Sequence, residues 1–138
     1  MIRLAALLLT LVACDGKPRQ YDALGPVTRI QVIARRRPSG ADTFTIRDAD
    51  SIARIVAFVN ARRDGWETPW GGVPIPTTIA EFYDSNDFRG HFGSGSDFFE
   101  TQRDGDFSSR SANADEFAAF QRLLGIRVKV IRVPPKSP

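Results

Sequence analysis

The chain has 138 residues, of which 42% are hydrophobic and 25% are charged, with a formal net charge of +3. This composition is typical of one globular domain and not of a disordered chain. With one cysteine and one histidine, the chain excludes an internal disulfide, a zinc–cysteine site and a multi-histidine site. We therefore expect no metal and no cofactor. The charge is mild and no basic and aromatic stripe occurs, so we do not expect nucleic acid as a partner.

The N-terminal segment has the features of a signal peptide. Arg3 supplies a positive charge, and residues 4–13 form an apolar run of the length usual for the central region of a signal peptide. The run is too short to span a bilayer, which takes about 20 apolar residues. Asp15-Gly16-Lys17-Pro18 closes it. We predict that residues 1–13 are removed.

The run ends in Leu11-Val12-Ala13-Cys14, which resembles the lipobox of bacterial lipoproteins. The resemblance implies that Cys14 carries a thioether-linked diacylglycerol and becomes the first residue of the mature chain. It also implies a lipid-anchored, periplasm-facing protein of the cell envelope, and Asp15 resembles the residue that favours the inner membrane. The alternative is a buried N-terminal helix with an incidental cysteine.

Residues 14–26 are polar, contain Gly and Pro, and are predicted to be a flexible tether. The predicted domain covers residues 27–133, and residues 134–138 are predicted to be a loose tail. Residues 27–35 and 42–47 alternate apolar and polar side chains, which predicts two strands joined by a hairpin loop at residues 36–40.

The next element is an amphipathic helix. Asp48 is its predicted cap, and its apolar residues recur at i, i+3, i+4 and i+7: Ile52, Ile55, Val56 and Val59. Gly65 is the predicted stop. Residues 66–78 follow, with both tryptophans and three prolines, so they predict a long irregular connection.

Residues 79–110 predict an antiparallel meander with strands at 79–83, 88–92, 98–103 and 106–110, the last two joined by an Asp-Gly turn. Asn113 and Glu116 form a capping-box pattern that predicts a second helix, with Gly125 as its stop. Residues 126–133 favour an edge strand. The order ββα-ββββ-α predicts an α+β fold, a mostly antiparallel sheet with both helices packed on one face.

His91 is the candidate for proton transfer, with Ser94 and Ser96 close in sequence. The segment Gly93-Ser94-Gly95-Ser96 does not match the G-x-S-x-G motif, so we interpret it as a turn and His91 as a solvent-facing strand residue. Glu81 and Glu100 could form the carboxylate pair of a glycosidase, but we interpret them as solvated strand residues. Asp84, Asn86 and Asp87 fit a turn better than a calcium loop.

The candidate contact residues lie in the long connection: Trp66, Pro69, Trp70, Val73 and Pro76. Tryptophan is enriched at binding hot spots, and prolines lower the entropy lost on binding. The alternative is that the rings seal one end of the core, which suits Trp66 better than Trp70. We expect a non-enzymatic domain that binds an envelope protein or another envelope component. Alternatives are an inhibitor or immunity protein for one secreted or periplasmic enzyme, and a small hydrolase.

Overall fold

The structure is a computed structural model that describes residues 18–36 and 38–128. The predicted signal peptide, Cys14 and the C-terminal tail lie outside the described residues. So does most of the predicted last strand, of which residues 126–128 are described and are not in a strand.

Eight elements occur in the predicted order ββα-ββββ-α, which confirms the α+β fold. The strands are β1 (Arg29–Arg35), β2 (Ala41–Ile46), β3 (Thr78–Asp84), β4 (Asp87–Ser94), β5 (Phe98–Arg103) and β6 (Asp106–Ser111). The helices are α1 (Ala49–Asn60) and α2 (Ala114–Leu123). Strand β4 runs two residues further than predicted, so Gly93 and Ser94 belong to the strand and not to a turn.

One six-stranded sheet has the order β2-β1-β3-β4-β5-β6, and every neighbouring pair is antiparallel. Directly paired residues point to the same side of a sheet, and the side alternates along each strand. One face therefore carries Val32, Ala80, Phe92 and Thr101, and the opposite face carries Gln31, Glu81, His91 and Gln102. We call the first the helix face and the second the open face.

Both helices cover the helix face, as predicted. Phe58 of α1 and Phe120 of α2 stack at 5.3 Å between ring centroids, and Phe120 lies 5.0 Å from Phe92 of β4. The other large core residues are also buried on this side: Ile30, Val32, Ile55, Val59, Phe82 and Phe99. Removing these side chains from water is the main favourable term for the fold.

The two helices begin where their caps predict. The Asp48 carboxylate accepts from the Ser51 backbone N–H at 2.8 Å, and Asn113 and Glu116 make both hydrogen bonds of a capping box. The predicted stop of α1 at Gly65 is wrong, because the helix ends at Asn60. The Ala61 and Arg62 N–H groups close the end of the helix on the Ala57 and Val59 carbonyls, and the Trp66 indole N–H then donates to the Arg62 carbonyl at 2.7 Å.

The predicted tether contains part of the domain. Tyr21 and Leu24 are buried in the core, and the Tyr21 hydroxyl lies 2.7 Å from the Ser108 hydroxyl. The Leu24 N–H donates to the Asn60 side chain at 2.7 Å. The predicted start of order near Val27 is therefore too late. The sequence did not predict this ordered segment, because two isolated apolar residues among polar ones show neither the helical nor the strand periodicity.

Candidate functional site

Four of the five candidate contact residues lie in one loop, residues 68–76, which we call the Trp70 loop. The fifth, Trp66, precedes the loop by two positions; its side chain is 1% exposed and packs edge-on against Tyr21 and Phe92 at 6.0 and 5.9 Å. Glu67 exchanges two backbone hydrogen bonds of 2.9 Å with Ser109 of β6. The first end of the loop is thus fixed by a buried ring and by the edge of the sheet.

The second end of the Trp70 loop is fixed at the start of β3. Pro76 is buried, and the Thr77 N–H donates to the Ser94 carbonyl at 2.9 Å. The Thr77 carbonyl accepts from the Arg35 N–H at 2.8 Å. The loop thus connects the edge strand β6 to β3, and β5 and β4 lie between these two strands in the sheet.

Between these ends the loop holds apolar side chains in solvent. Trp70 is 100% exposed, Ile75 74% and Val73 42%. Of the five candidates, Trp70 and Val73 are thus exposed, Pro69 is half-buried, and Trp66 and Pro76 are buried. Trp66 seals the core, which was the alternative interpretation for that ring, and it positions the loop instead of contacting a partner.

Ile75 is the exposed residue that sequence reasoning missed. It lies between Pro74 and Pro76. The signal was available, because an apolar side chain between two prolines cannot join a regular element and has few ways to reach the core.

Basic residues lie at the second end of the Trp70 loop. Arg35, Arg36 and Ile75 line a shallow cavity of about 410 Å³ between the β1–β2 turn and the loop. The Arg36 guanidinium donates to the Asp42 carboxylate at 2.6 Å. The exposed apolar side chain of Ile75 therefore lies against a rim that carries two arginines.

A second cluster lies on the open face of the sheet. His91 Nε2 lies 2.8 Å from Glu100 Oε1, and the two side chains are 11% and 2% exposed. The prediction that both are solvated strand residues is therefore wrong. Gly93, the direct partner of Glu100 across β4 and β5, has no side chain, and the Glu100 carboxylate occupies the space above it.

Glu81 and Tyr83 lie beside this pair. Glu81 is the direct cross-strand partner of His91, and its Oε2 accepts from the Tyr83 hydroxyl at 2.9 Å. Burial raises the pKa of that hydroxyl, and the bond to Glu81 raises it further. Tyr83 thus stays a protonated donor at neutral pH.

The serine near His91 lies on the wrong face for a hydrolase. Ser94 is buried on the helix face, where its hydroxyl accepts from the Gln121 side chain at 2.9 Å. His91 is on the open face, so the sheet separates the two side chains. Ser94 and His91 therefore do not form the nucleophile and base pair that a serine hydrolase requires.

Asp84, Asn86 and Asp87 form the β3–β4 turn, as predicted, and Asp84 pairs with Arg89 at 3.0 Å. Within residues 18–36 and 38–128, no group of three His, Cys, Asp or Glu side chains is placed to hold a metal ion. No helix in this part of the chain is long and apolar enough to cross a membrane.

Comparison of the chain with protein-family models, with curated proteins and with solved structures finds no match.

Proposed function

We propose that this chain is a lipid-anchored protein of the bacterial cell envelope with a non-enzymatic binding domain, and that the Trp70 loop is its contact surface. The anchor is supported by Leu11-Val12-Ala13-Cys14, which resembles a lipobox and lies outside the described residues. Asp15 favours the inner membrane, with the domain facing the periplasm.

The observation that carries the proposal is the complete exposure of Trp70 on a loop whose two ends are fixed. Exposed apolar clusters mark interaction sites, and tryptophan is the residue most enriched at binding hot spots. A loop held at both ends loses less conformational entropy when it binds. Val73 and Ile75 extend the surface.

The open face supports a binding role over catalysis. The His91 and Glu100 side chains satisfy each other in a buried pair, and Ser94 is on the opposite face. All buried polar side-chain atoms of the described residues have hydrogen-bond partners. We interpret this contact as a structural pair, because little of either side chain is open to a substrate.

The contact surface is tested by photo-crosslinking in cells that produce the full chain. A photo-crosslinking amino acid is placed at position 70. We expect position 70 to give a crosslinked product. Position 44 is the matched control, because Phe44 is also partly exposed but belongs to β2 and faces the helix side of the sheet. The same products at both positions, or none at position 70, would contradict the proposal.

The anchor has a separate test. The mature N-terminal peptide of the natural chain is expected to gain the mass of a diacylglycerol, and Cys14→Ser is expected to abolish this gain. A natural chain whose Cys14 peptide lacks the diacylglycerol mass would contradict lipid anchoring through this residue.

A further inference from the structure

The fold joins the predicted lipid anchor to the Trp70 loop. Arg19 and Trp66 form an antiparallel bridge, in which the Arg19 N–H donates to the Trp66 carbonyl at 2.6 Å and the Trp66 N–H donates back at 3.3 Å. Across an antiparallel bridge, the chain before one residue and the chain after its partner leave in the same direction. The segment that leads to Cys14 and the segment that leads to Trp70 therefore leave toward the same end of the domain.

Chain length limits how far apart the two can be. Cys14 precedes Arg19 by five positions, and an extended chain advances at most about 3.6 Å per residue, so their Cα atoms lie within about 18 Å. Trp70 follows Trp66 by four positions and lies within about 14 Å of it by the same limit. A lipid on Cys14 would therefore leave the Trp70 loop within reach of the bilayer surface.

Arg19 is itself fixed to the sheet. Its guanidinium donates to the Asp106 carboxylate at 2.7 Å, and that hydrogen bond raises the pKa of Arg19. Two residues later, Tyr21 is buried against Trp66. The attachment point of the tether thus has little freedom to swing away from the Trp70 loop.

The side chains of the loop have the chemistry of a membrane-surface contact. Tryptophan is enriched at the membrane–water interface, where its ring enters the apolar layer and its N–H stays near the headgroups. Trp70 is accompanied by the exposed aliphatic side chains of Val73 and Ile75, and Arg35 lies beside Ile75, next to Arg36, whose charge is paired with Asp42. Arginines next to a membrane surface are attracted by anionic headgroups.

We propose that the Trp70 loop inserts into the headgroup region of the bilayer that carries the anchor. The loop then acts as a second membrane contact and fixes the orientation of the domain, which a single flexible tether leaves free. This inference rests on the proposed lipidation of Cys14, and it assigns lipid as the component that the contact surface binds.

The two tryptophans make the test direct, because Trp66 is buried and serves as an internal reference. The full-length protein, purified from membranes with its lipid, is reconstituted into phosphatidylethanolamine and phosphatidylglycerol vesicles with acyl chains brominated near the headgroup. We expect the brominated lipid to quench most of the Trp70 emission. We expect Trp70→Phe to lose the quenchable component and to leave the Trp66 emission unaltered.

Two further variants separate loop insertion from general contact with the vesicle. Ile75→Ser is expected to weaken the quenching of Trp70, whereas Phe44→Ser, at a partly exposed apolar position on the helix face, is expected to leave it unchanged. Trp70 emission that stays unquenched by brominated lipid, and open to aqueous acrylamide, would overturn the inference. So would equal effects of the two serine variants.

The mass of the Cys14 peptide shows whether a negative result concerns only the lipid contact of the Trp70 loop or also the lipid anchor. A lipidated protein whose Trp70 stays in water, or crosslinks only to protein in native membranes, overturns the lipid contact and leaves the proposed function in place. A Cys14 peptide without diacylglycerol overturns the anchor, and the membrane contact of the loop falls with it.

Discussion

Glu100 is an acidic side chain whose burial depends on two neighbours, Gly93 and His91. Alternation along β5 puts it on the open face, where the sequence predicts a solvated carboxylate. Gly93 leaves space above the neighbouring strand, and His91 lies at hydrogen-bond distance. The burial requires a glycine and a histidine on β4 to lie beside a glutamate on β5. The sequence pattern within either strand does not show which residues of the other strand lie beside it.

Replacing Gly93 with alanine is expected to destabilise the domain by about 1–3 kcal/mol, in the range of overpacking in a filled site. The new Cβ would overlap Glu100 Oε1 and lie 2.8 Å from its Cγ, which forces the carboxylate away from His91. Urea unfolding measures the change.

Gly71→Ala is the matched control, because no atom lies within 4 Å of its added Cβ. It is expected to be nearly neutral. In a Glu100→Ala background, the cost of Gly93→Ala is expected to fall. An unchanged cost there would show that the strain at residue 93 does not involve Glu100.

The two tryptophans are expected to respond oppositely to truncation. Trp66→Ala removes a buried ring that packs on Tyr21 and Phe92, so we expect a loss of about 3–5 kcal/mol in the free energy of unfolding. Trp70→Ala is expected to change it by less than about 0.5 kcal/mol, since the ring touches solvent only. Equal losses in thermal or urea unfolding would contradict the division into core and surface.

At the scale of elements, both helices could be predicted because their signals are local. The caps at Asp48 and Asn113 and the apolar period of α1 lie within one or two turns of chain, and the structure has both helices in those places. The predicted C-terminus of α1 is too late, because Gly65 does have the left-handed backbone of a glycine stop but follows a short irregular segment after Asn60 and not the helix itself.

The cap of α1 gives a pH prediction. Hydrogen bonds from the Ser51 side chain and backbone hold the pKa of Asp48 below its ordinary value of 3.8. The folded state favours the ionised carboxylate, so its contribution is complete above pH 3.8 and is lost as the pH falls through the lowered pKa. We expect the Tm of the natural chain to fall below pH 3.8 more steeply than that of Asp48→Asn.

Asp48→Asn is the suitable reference because asparagine also accepts the Ser51 N–H and does not titrate in this range. Both proteins share every other carboxylate. Thermal melts of the two between neutral pH and pH 2 give the difference directly. Parallel Tm curves over this interval would mean that the ionisation of Asp48 does not contribute to the stability of α1.

At the scale of the whole molecule, the segment before β1 completes the domain. Tyr21 packs on Trp66, the Leu24 N–H donates to the side chain of Asn60 at the end of α1, and Arg103 of β5 donates to the Asp22 carbonyl at 2.7 Å. Burial in this contact lowers the pKa of Arg103. The segment therefore joins the end of α1 to the far strands of the sheet.

A chain that begins at Val27 is expected to be less stable than one that begins at Pro18, by about 3–6 kcal/mol. The reason is the loss of two buried side chains, Tyr21 and Leu24, each of which contributes about 1.5–3 kcal/mol. Denaturant unfolding of the two chains, with a Tyr21→Ala variant as an intermediate case, measures it. Equal stabilities would mean that residues 18–26 act only as a tether.

The sequence by itself determined the elements and their order, because capping residues, apolar periods and turn residues act within a few positions along the chain. It also determined the irregular loop that we propose as the contact surface, since prolines and glycines exclude regular structure there. Only the tertiary structure decided which residues of that loop are exposed, that Glu100 is buried, and that the N-terminal segment belongs to the core. Each of these depends on contacts between residues far apart in the chain, whose positions are fixed only when the sheet has formed.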